Sequence, residues 1–345
     1  MSDRVRAVFF ETEPWEEAAL LQGLDGVDAT CHRDRLDTSA ASLAADAQVV
    51  SVFIRSRVDR ALLERLPQVR LLATRSTGFE HVDLRACDER SVAVSNVPRY
   101  GENTVAEHTF ALILALSRNV HKAYQRTAQG DFSLEGLRGF DLKDRTLGVV
   151  GAGSIGLHVV RIARGFGMEV LVYDVHESHL IAEVLGFRYV SLDELLARSD
   201  IVTLHAPYTP ATHHLISRET LRKMKPSALL INTARGALVD TEALVWALQE
   251  GIVGGAGLDV LEGEELIKEE SQLLSMPTAE DKLRLLLRNH ILMKMHNVVL
   301  TPHIAFFSEE ALQRIVDCTI DNIRSWLGGR PTNVVNSPRA ETGAV

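Results

Sequence analysis

Three residues in the second half of the chain could carry acid–base chemistry on an anionic substrate: Arg235, Glu264 and His303. An arginine's planar fork can hold a carboxylate through two parallel hydrogen bonds. A histidine titrates near neutral pH, so it can give and take a proton under ordinary conditions. A carboxylate beside that histidine favours its charged form. Each residue also has an ordinary reading. The chain holds 13 histidines, so most of them must be structural or superficial. Arg235 could merely tie up carbonyl groups of a loop. Glu264 is flanked by Glu262 and Glu265, where a solvated acidic turn is the default for any one of them.

The elements that carry these residues read as a parallel sheet. Leu229–Asn232 is a strand candidate ending in Thr233-Ala234-Arg235-Gly236. Gly254–Leu258 ends at Asp259, and Val298–Leu300 ends in Thr301-Pro302-His303. Asp200–Leu204 ends in His205-Ala206-Pro207. Helices alternate with these strands, one at Thr241–Leu248 capped by Asp240 and one opened by a capping box at Ser191–Glu194. Strands alternating with helices imply a parallel α/β sheet, and ligands bind outside its carboxyl edge. Polar residues at five strand ends (Asp174, His205, Arg235, Asp259 and His303) describe a crevice along that edge.

What occupies the crevice follows from TLGVVGAGSIGLHVVRIARGFGMEVLVYD, Thr146 to Asp174. It reads strand, glycine turn, helix, strand. Gly151 permits the tight turn, Gly153 leaves room for a pyrophosphate, and Gly156 allows close helix packing. The amides of Ser154 and Ile155 open a helix whose N-terminus favours phosphate. Asp174 falls where a carboxylate would accept from ribose hydroxyls and repel a 2′-phosphate. The expected cofactor is therefore NAD rather than NADP. A dinucleotide beside Arg, Glu and His suggests hydride transfer to a carbonyl, with His303 as proton donor.

The first hundred residues read as a second α/β unit that lacks a phosphate loop. Its strands are expected at Val5–Phe10, Val49–Ile54 and Arg70–Thr74. Helices are expected at Glu13–Leu24, with Trp15, Ala18, Ala19 and Leu21 to cover, and at Val58–Leu66. Arg75-Ser76-Thr77-Gly78-Phe79 is either an ordinary strand-to-helix turn or a set of backbone amides for an anion. Val97–Gly101 punctuates the chain, and Thr104-Val105-Ala106-Glu107 matches a capping box before an apolar helix. That helix is apolar nearly all round from Phe110 to Leu116, which means burial in the core or against a second subunit. Lys122–Asp144 reads as a polar lead-in, and Leu261–His296 as one or two short helices near the crevice. Ser308–Leu327 is a closing helix with Ala311, Ile315, Ile320 and Ile323 on its apolar face, and 338–345 a flexible tail.

Composition narrows the class. With 345 residues the chain can form two domains. A net charge of −9 argues against a general nucleic-acid binder. Cys31, Cys87 and Cys318 have no metal-ligand spacing, so no metal is expected and the thiols should be free in a reducing compartment. The N-terminus turns acidic within a few residues and does not read as a signal peptide. Phe110–Leu116, the longest apolar run, is far too short to span a membrane. A cytoplasmic protein is the expectation.

The motifs VPRYGENTVAEH, VVGAGSIG, LVYD, INTARGALVD, GLDVLEGEE and LTPHIAFFSEEAL resemble those of the D-isomer-specific 2-hydroxyacid dehydrogenases, most closely their D-lactate dehydrogenase-like branch. The resemblance covers nearly the whole chain. It implies two Rossmann-like or flavodoxin-like domains, with the NAD domain (101–304) inserted into a discontinuous substrate domain (1–100 plus 305–337) and a cleft that closes by hinge motion. By the same resemblance Arg235 orients substrate, Glu264 supports the histidine, and His303 is the acid/base. Thr77 and Gly78 form the carboxylate cradle, and Tyr100 contacts substrate. Cofactor contacts fall at Val105, Ser154, Ile155, Asp174, Ala206, Pro207, Thr212, Thr233, Ala234 and Asp259, besides the three glycines. The implied partners are a small 2-keto or 2-hydroxy acid and a second copy of the chain, joined through the NAD domain. Phe79, beside the cradle, would narrow the site toward small, pyruvate-like substrates. Relatives for 3-phosphoglycerate, glyoxylate or hydroxypyruvate are the alternative, and a non-catalytic NAD-sensing corepressor is a second one.

Overall fold

The computed structural model describes residues 4–264 and 280–337. The chain forms two compact units, Met1–Tyr100 with Ser308–Val345, and Gly101–Phe307. In the first, strands β1 (Arg6–Phe10), β2 (Asp28–His32), β3 (Val49–Val52), β4 (Leu71–Thr74) and β5 (Ala93–Ser95) alternate with helices α1 (Pro14–Gly23), α2 (Arg60–Glu64) and α3 (Leu84–Glu89). The strands lie in the order β2-β1-β3-β4-β5, all parallel. Alternation along β1 builds two cores. Val8 and Phe10 point into one layer with Leu62 and Val94, while Ala7 and Phe9 point into the other with Leu20 and Val316.

The second unit holds α4 (Glu102–Ser117), α5 (Val120–Ala128), β6 (Thr146–Val150), α6 (Ser154–Gly165), β7 (Glu169–Tyr173), α7 (His179–Leu185), β8 (Arg188–Tyr189) and α8 (Leu192–Arg198). It continues with β9 (Ile201–Leu204), α9 (Arg218–Leu221), β10 (Leu229–Asn232), α10 (Thr241–Gln249), β11 (Gly255–Leu258), α11 (Glu280–Lys294) and β12 (Val298–Leu300). The sheet order is β12-β11-β10-β9-β6-β7-β8, again parallel throughout. The chain crosses from β8 back past β6 to β9, so the strand order reverses at the glycine turn that follows β6. That reversal opens the crevice where dinucleotides bind. Helix α12 (Glu309–Leu327) then returns to the first unit and buries Ala311, Ile315, Val316, Ile320 and Ile323 there.

Several local expectations are corrected. Helix α1 buries Glu16 and Leu20, whereas Trp15, Ala18 and Leu21 are exposed. The reason is electrostatic. Arg75 is fully buried under α1, and Glu16 turns inward to sit 3.6 Å from its Nε. Helix α4 starts two residues before the expected cap, at Glu102 after Gly101, so Thr104 lies inside the first turn and is not the N-cap. Its apolar residues Phe110, Leu112 and Ile113 are spent on the core of their own unit, with Leu147 of β6 and Val159 of α6. Ser191 does accept from the Glu194 amide, but the Glu194 carboxylate bonds Arg198 instead of completing a box. The polar lead-in contains helix α5. Of Leu261–His296, residues 265–279 lie outside the described residues, and α11 is one helix of 15 residues. The tail 338–345 also lies outside them.

Candidate active site

In the Gly101–Phe307 unit the glycine turn is closed by contacts that leave no space for side chains. Gly151 has φ +97°, and a Cβ there would come within 2.7 Å of the Ala206 amide nitrogen. A Cβ on Gly156 would lie 2.0 Å from the Gly151 carbonyl, so α6 starts directly on the turn. Gly153 is the opposite case: a Cβ there would meet nothing, because the position faces open space beside the exposed Ser154. Asp174 bonds the turn itself, Oδ2 accepting from the Ala152 amide at 2.6 Å and Oδ1 from the His176 amide at 2.8 Å. Ala206 and Pro207 follow β9 on the same edge. Thr212 turns its hydroxyl back to the Pro207 carbonyl at 2.7 Å.

The three candidate chemical residues follow the ends of β10, β11 and β12. Asn232 shapes the first end, its side-chain amide donating to the Arg235 carbonyl at 2.8 Å while its oxygen accepts from the Ala234 amide at 3.0 Å. Arg235 is half-buried, and one guanidinium nitrogen donates to the Ala234 carbonyl at 2.9 Å. Gly236 must be glycine because the Leu261–Glu262 backbone crosses it; a Cβ there would sit 2.0 Å from the Leu261 carbonyl carbon. That crossing lays the strand-end loop of Arg235 against the segment that bears Glu264.

Glu264 then reaches His303, with Oε1 2.6 Å from Nδ1. Both side chains are about one-third exposed, at 28% and 32%. Among the described residues nothing bonds Nε2 of His303. The histidine adopts φ +58°, a left-handed conformation that costs a non-glycine residue on the order of 1–3 kcal/mol. Its amide offsets this by donating to the Asp259 carbonyl at 2.8 Å. The Asp259 carboxylate is buried and accepts from the Thr301 hydroxyl (2.5 Å), the Ile304 amide (2.9 Å) and the Ala305 amide (2.8 Å). The Asp259 carboxylate thus shapes the histidine loop. Thr233 is likewise buried, its hydroxyl 3.0 Å from that of Thr109. Val105 is buried on α4.

Two further histidines lie near this edge: His205, already read as a strand end, and His214, which carried no sequence signal beyond its type. His214 Nε2 pairs with Glu262 Oε1 at 2.8 Å, and Glu262 Oε2 accepts from Thr241 at 3.2 Å. The ring of His205, at the end of β9, has its side-chain partner among the described residues in the Thr203 hydroxyl at 2.9 Å, and burial pushes its pKa down to about 3. Among the described residues no cluster of His, Cys, Asp or Glu could hold a metal, and no helix is long and apolar enough to cross a membrane.

In the other unit, the turn after β4 carries Thr77 and Gly78. The Thr77 hydroxyl donates to the Val97 carbonyl at 2.8 Å, and the Thr77 carbonyl accepts from Asn96 at 2.8 Å. Among the described residues no acceptor takes the amides of Thr77 and Gly78. Arg75 anchors the turn from below, donating to the Phe10 and Glu11 carbonyls at 2.7 and 2.8 Å. Tyr100 is half-buried, its carbonyl accepting from Arg314 Nε at 2.6 Å.

Residues 110–305 match the family model described as D-isomer specific 2-hydroxyacid dehydrogenase, NAD binding domain. The chain belongs to that family. It is 42% identical over 300 residues to a 2-hydroxyacid dehydrogenase homolog of Haemophilus influenzae, covering 86% of this chain and 87% of that one. The pyruvate reductase structure of Chlamydomonas reinhardtii matches with TM-score 0.85 and 38% identity, over 95% of this chain and 98% of that one. D-lactate dehydrogenase from Aquifex aeolicus, solved with NAD and lactic acid, matches with TM-score 0.82 and 35% identity, over 94% and 96%.

This chain is therefore an NAD-dependent D-2-hydroxyacid dehydrogenase, and its β6–β12 unit is the NAD-binding domain. The residues present fit that cofactor. Open space at Gly153, an α-helix of 12 residues starting behind it, and a carboxylate at the end of β7 are the parts a pyrophosphate and ribose require.

Proposed function

We propose that this dehydrogenase reduces a small, pyruvate-like 2-keto acid to the D-2-hydroxy acid, with His303 as the proton donor. The observation that carries this reading is the Glu264–His303 contact at 2.6 Å through Nδ1, which leaves Nε2 unspent. Glu264 fixes the ring through Nδ1, so Nε2 is the nitrogen that hands a proton to the ketone oxygen. In the reverse direction the same nitrogen accepts the hydroxyl proton. Bound NADH supplies the hydride. Arg235 presents its planar fork to the substrate carboxylate, and the open amides of Thr77 and Gly78 are a second set of carboxylate donors. Tyr100 is assigned to the substrate, and half-buried Phe79, next to the cradle, limits its size. The pyruvate reductase and D-lactate dehydrogenase named among the relatives support a lactate-type substrate.

The cofactor contacts are assigned to Gly151, Gly153, Ser154, Ile155 and Gly156 for the pyrophosphate and Asp174 for the ribose. Val105, Ala206, Pro207, Thr212, Thr233, Ala234 and Asp259 are assigned to the remainder. A homodimer through the NAD domain is part of the proposal, supported by exposed Tyr124 (75%), Phe132 (78%) and Leu134 (84%) in that unit. Sedimentation at micromolar concentration tests it.

Steady-state kinetics on a panel of 2-keto acids with NADH and NADPH tests the reaction. The expected result is best turnover with pyruvate or a keto acid of similar size, and catalytic efficiency with NADH far above that with NADPH. Preference for a phosphorylated substrate, equal use of NADPH, or no turnover with any member would overturn the proposal.

A further inference from the structure

We propose that His108 is a positioning residue for His303, acting through Thr301 and Asp259. This rests on the reading of His303 as the proton carrier. His108 lies on α4, between buried Val105 and buried Leu112, on a face where an apolar side chain would pack more simply. Its Nε2 is 3.0 Å from Thr301 Oγ1 and 3.6 Å from Asp259 Oδ1. The Thr301 hydroxyl has one hydrogen, and it goes to Asp259 Oδ1 at 2.5 Å. Its oxygen can therefore only accept from His108, which places a proton on His108 Nε2.

The result is a chain of donors, His108 to Thr301 to Asp259, that ends on the carboxylate gripping the amides of Ile304 and Ala305. Those contacts fall on both sides of His303, whose own amide donates to the carbonyls of Asp259 and Thr301. A residue held at positive φ between two such anchors has one orientation available. Without the His108 donor, Thr301 is free to rotate away from Asp259, the loop relaxes, and the His303 ring loses its alignment with Glu264. Misplacement by a fraction of an ångström lowers turnover without abolishing binding.

The test is kinetic. His108→Ala should lower kcat by about 10- to 100-fold, with KM for NADH and for the keto acid within about threefold of the parent. His108→Gln, whose side-chain amide can donate from the same reach, should recover kcat to within about threefold. Thr301→Val should reproduce the His108→Ala loss, and the double variant should be no slower than the worse single variant, because both remove one linkage. Parental kcat in His108→Ala, a loss confined to KM for NADH, a glutamine variant no better than alanine, or additive losses would each overturn the proposal. If His108→Ala does not fold, Thr301→Val and His108→Gln decide. His303→Gln separates the two readings. Its retained activity would remove the proton carrier itself, whereas an inactive His303→Gln beside a fully active His108→Ala would remove only the positioning role.

Discussion

The segment after β11 makes two histidine–carboxylate pairs two residues apart, and they differ in what is left over. His303 meets Glu264 at 2.6 Å and His214 meets Glu262 at 2.8 Å. Both histidines adopt positive φ, +58° and +50°. Both pairs are partly exposed, with side-chain values between 22% and 32%. His303 is bonded through Nδ1, so its tip nitrogen is available. His214 spends its tip nitrogen on the glutamate and stacks its ring on His213 at 3.8 Å, leaving only the nitrogen next to its own backbone. Glu262 is further tied to Thr241, and its carbonyl accepts from the buried Asn289 at 3.0 Å. A histidine beside a glutamate is thus not a reactive pair by composition. The nitrogen that the carboxylate does not use decides whether the pair holds structure or can move protons.

The largest effect should follow from removing the open nitrogen. His303→Gln is expected to lower kcat by roughly 100- to 10,000-fold, with NADH affinity, read from quenching of nucleotide fluorescence, unchanged. Glu264→Gln should cost about 10- to 100-fold in kcat, since the ring stays but loses its orienting charge. The pair His214–Glu262 should respond differently. Glu262→Gln is expected to leave kcat within about threefold and to lower unfolding stability by about 1 kcal/mol in a urea titration. A kcat loss in Glu262→Gln equal to that in Glu264→Gln would erase the distinction drawn here.

The smallest effect belongs to the histidine with no carboxylate. His205 has an ordinary value of 6.5 in the unfolded chain and about 3 in the folded one. The folded value is depressed, so the stability present above pH 6.5 is lost as the pH falls toward 3, because only the unfolded chain takes up the proton. Between pH 7 and pH 5 the urea midpoint of the parent should therefore fall faster than that of His205→Gln. Parallel curves would mean that His205 is not held neutral.

Much of the fold was legible because strand and helix periods differ. The apolar runs at 229–232 and 298–300 coincide with β10 and β12 to the residue. The glycine turn was legible because close backbone approach leaves few residue types possible at 151 and 156. Other elements had no such mark. Strand β2, Asp-Ala-Thr-Cys-His, is a half-exposed edge without an apolar run. The inward face of α1 was misread because a buried glutamate follows its partner, Arg75, which lies 59 positions away in sequence. The early start of α4 was hidden because Gly101 begins the helix through backbone conformation and has no side chain to serve as a cap.

By itself the sequence determined a parallel α/β chain with a dinucleotide turn and a set of polar strand ends. Those features are local: each depends on residues within one turn of helix or one strand. Residue type alone did not distinguish Glu262, Glu264 and Glu265, which share one chemistry and stand within four positions, and only the family resemblance pointed to Glu264. The tertiary structure made the choice between the first two by laying residues 261–262 across Gly236, which sends Glu262 to His214 and Glu264 to His303. It also made Asp259 the anchor of the histidine loop, because three donors from 301–305 converge on its buried carboxylate. Pairing between residues about 40 apart depends on where the sheet brings strand ends together, and a carboxylate carries no local mark of which histidine it will meet.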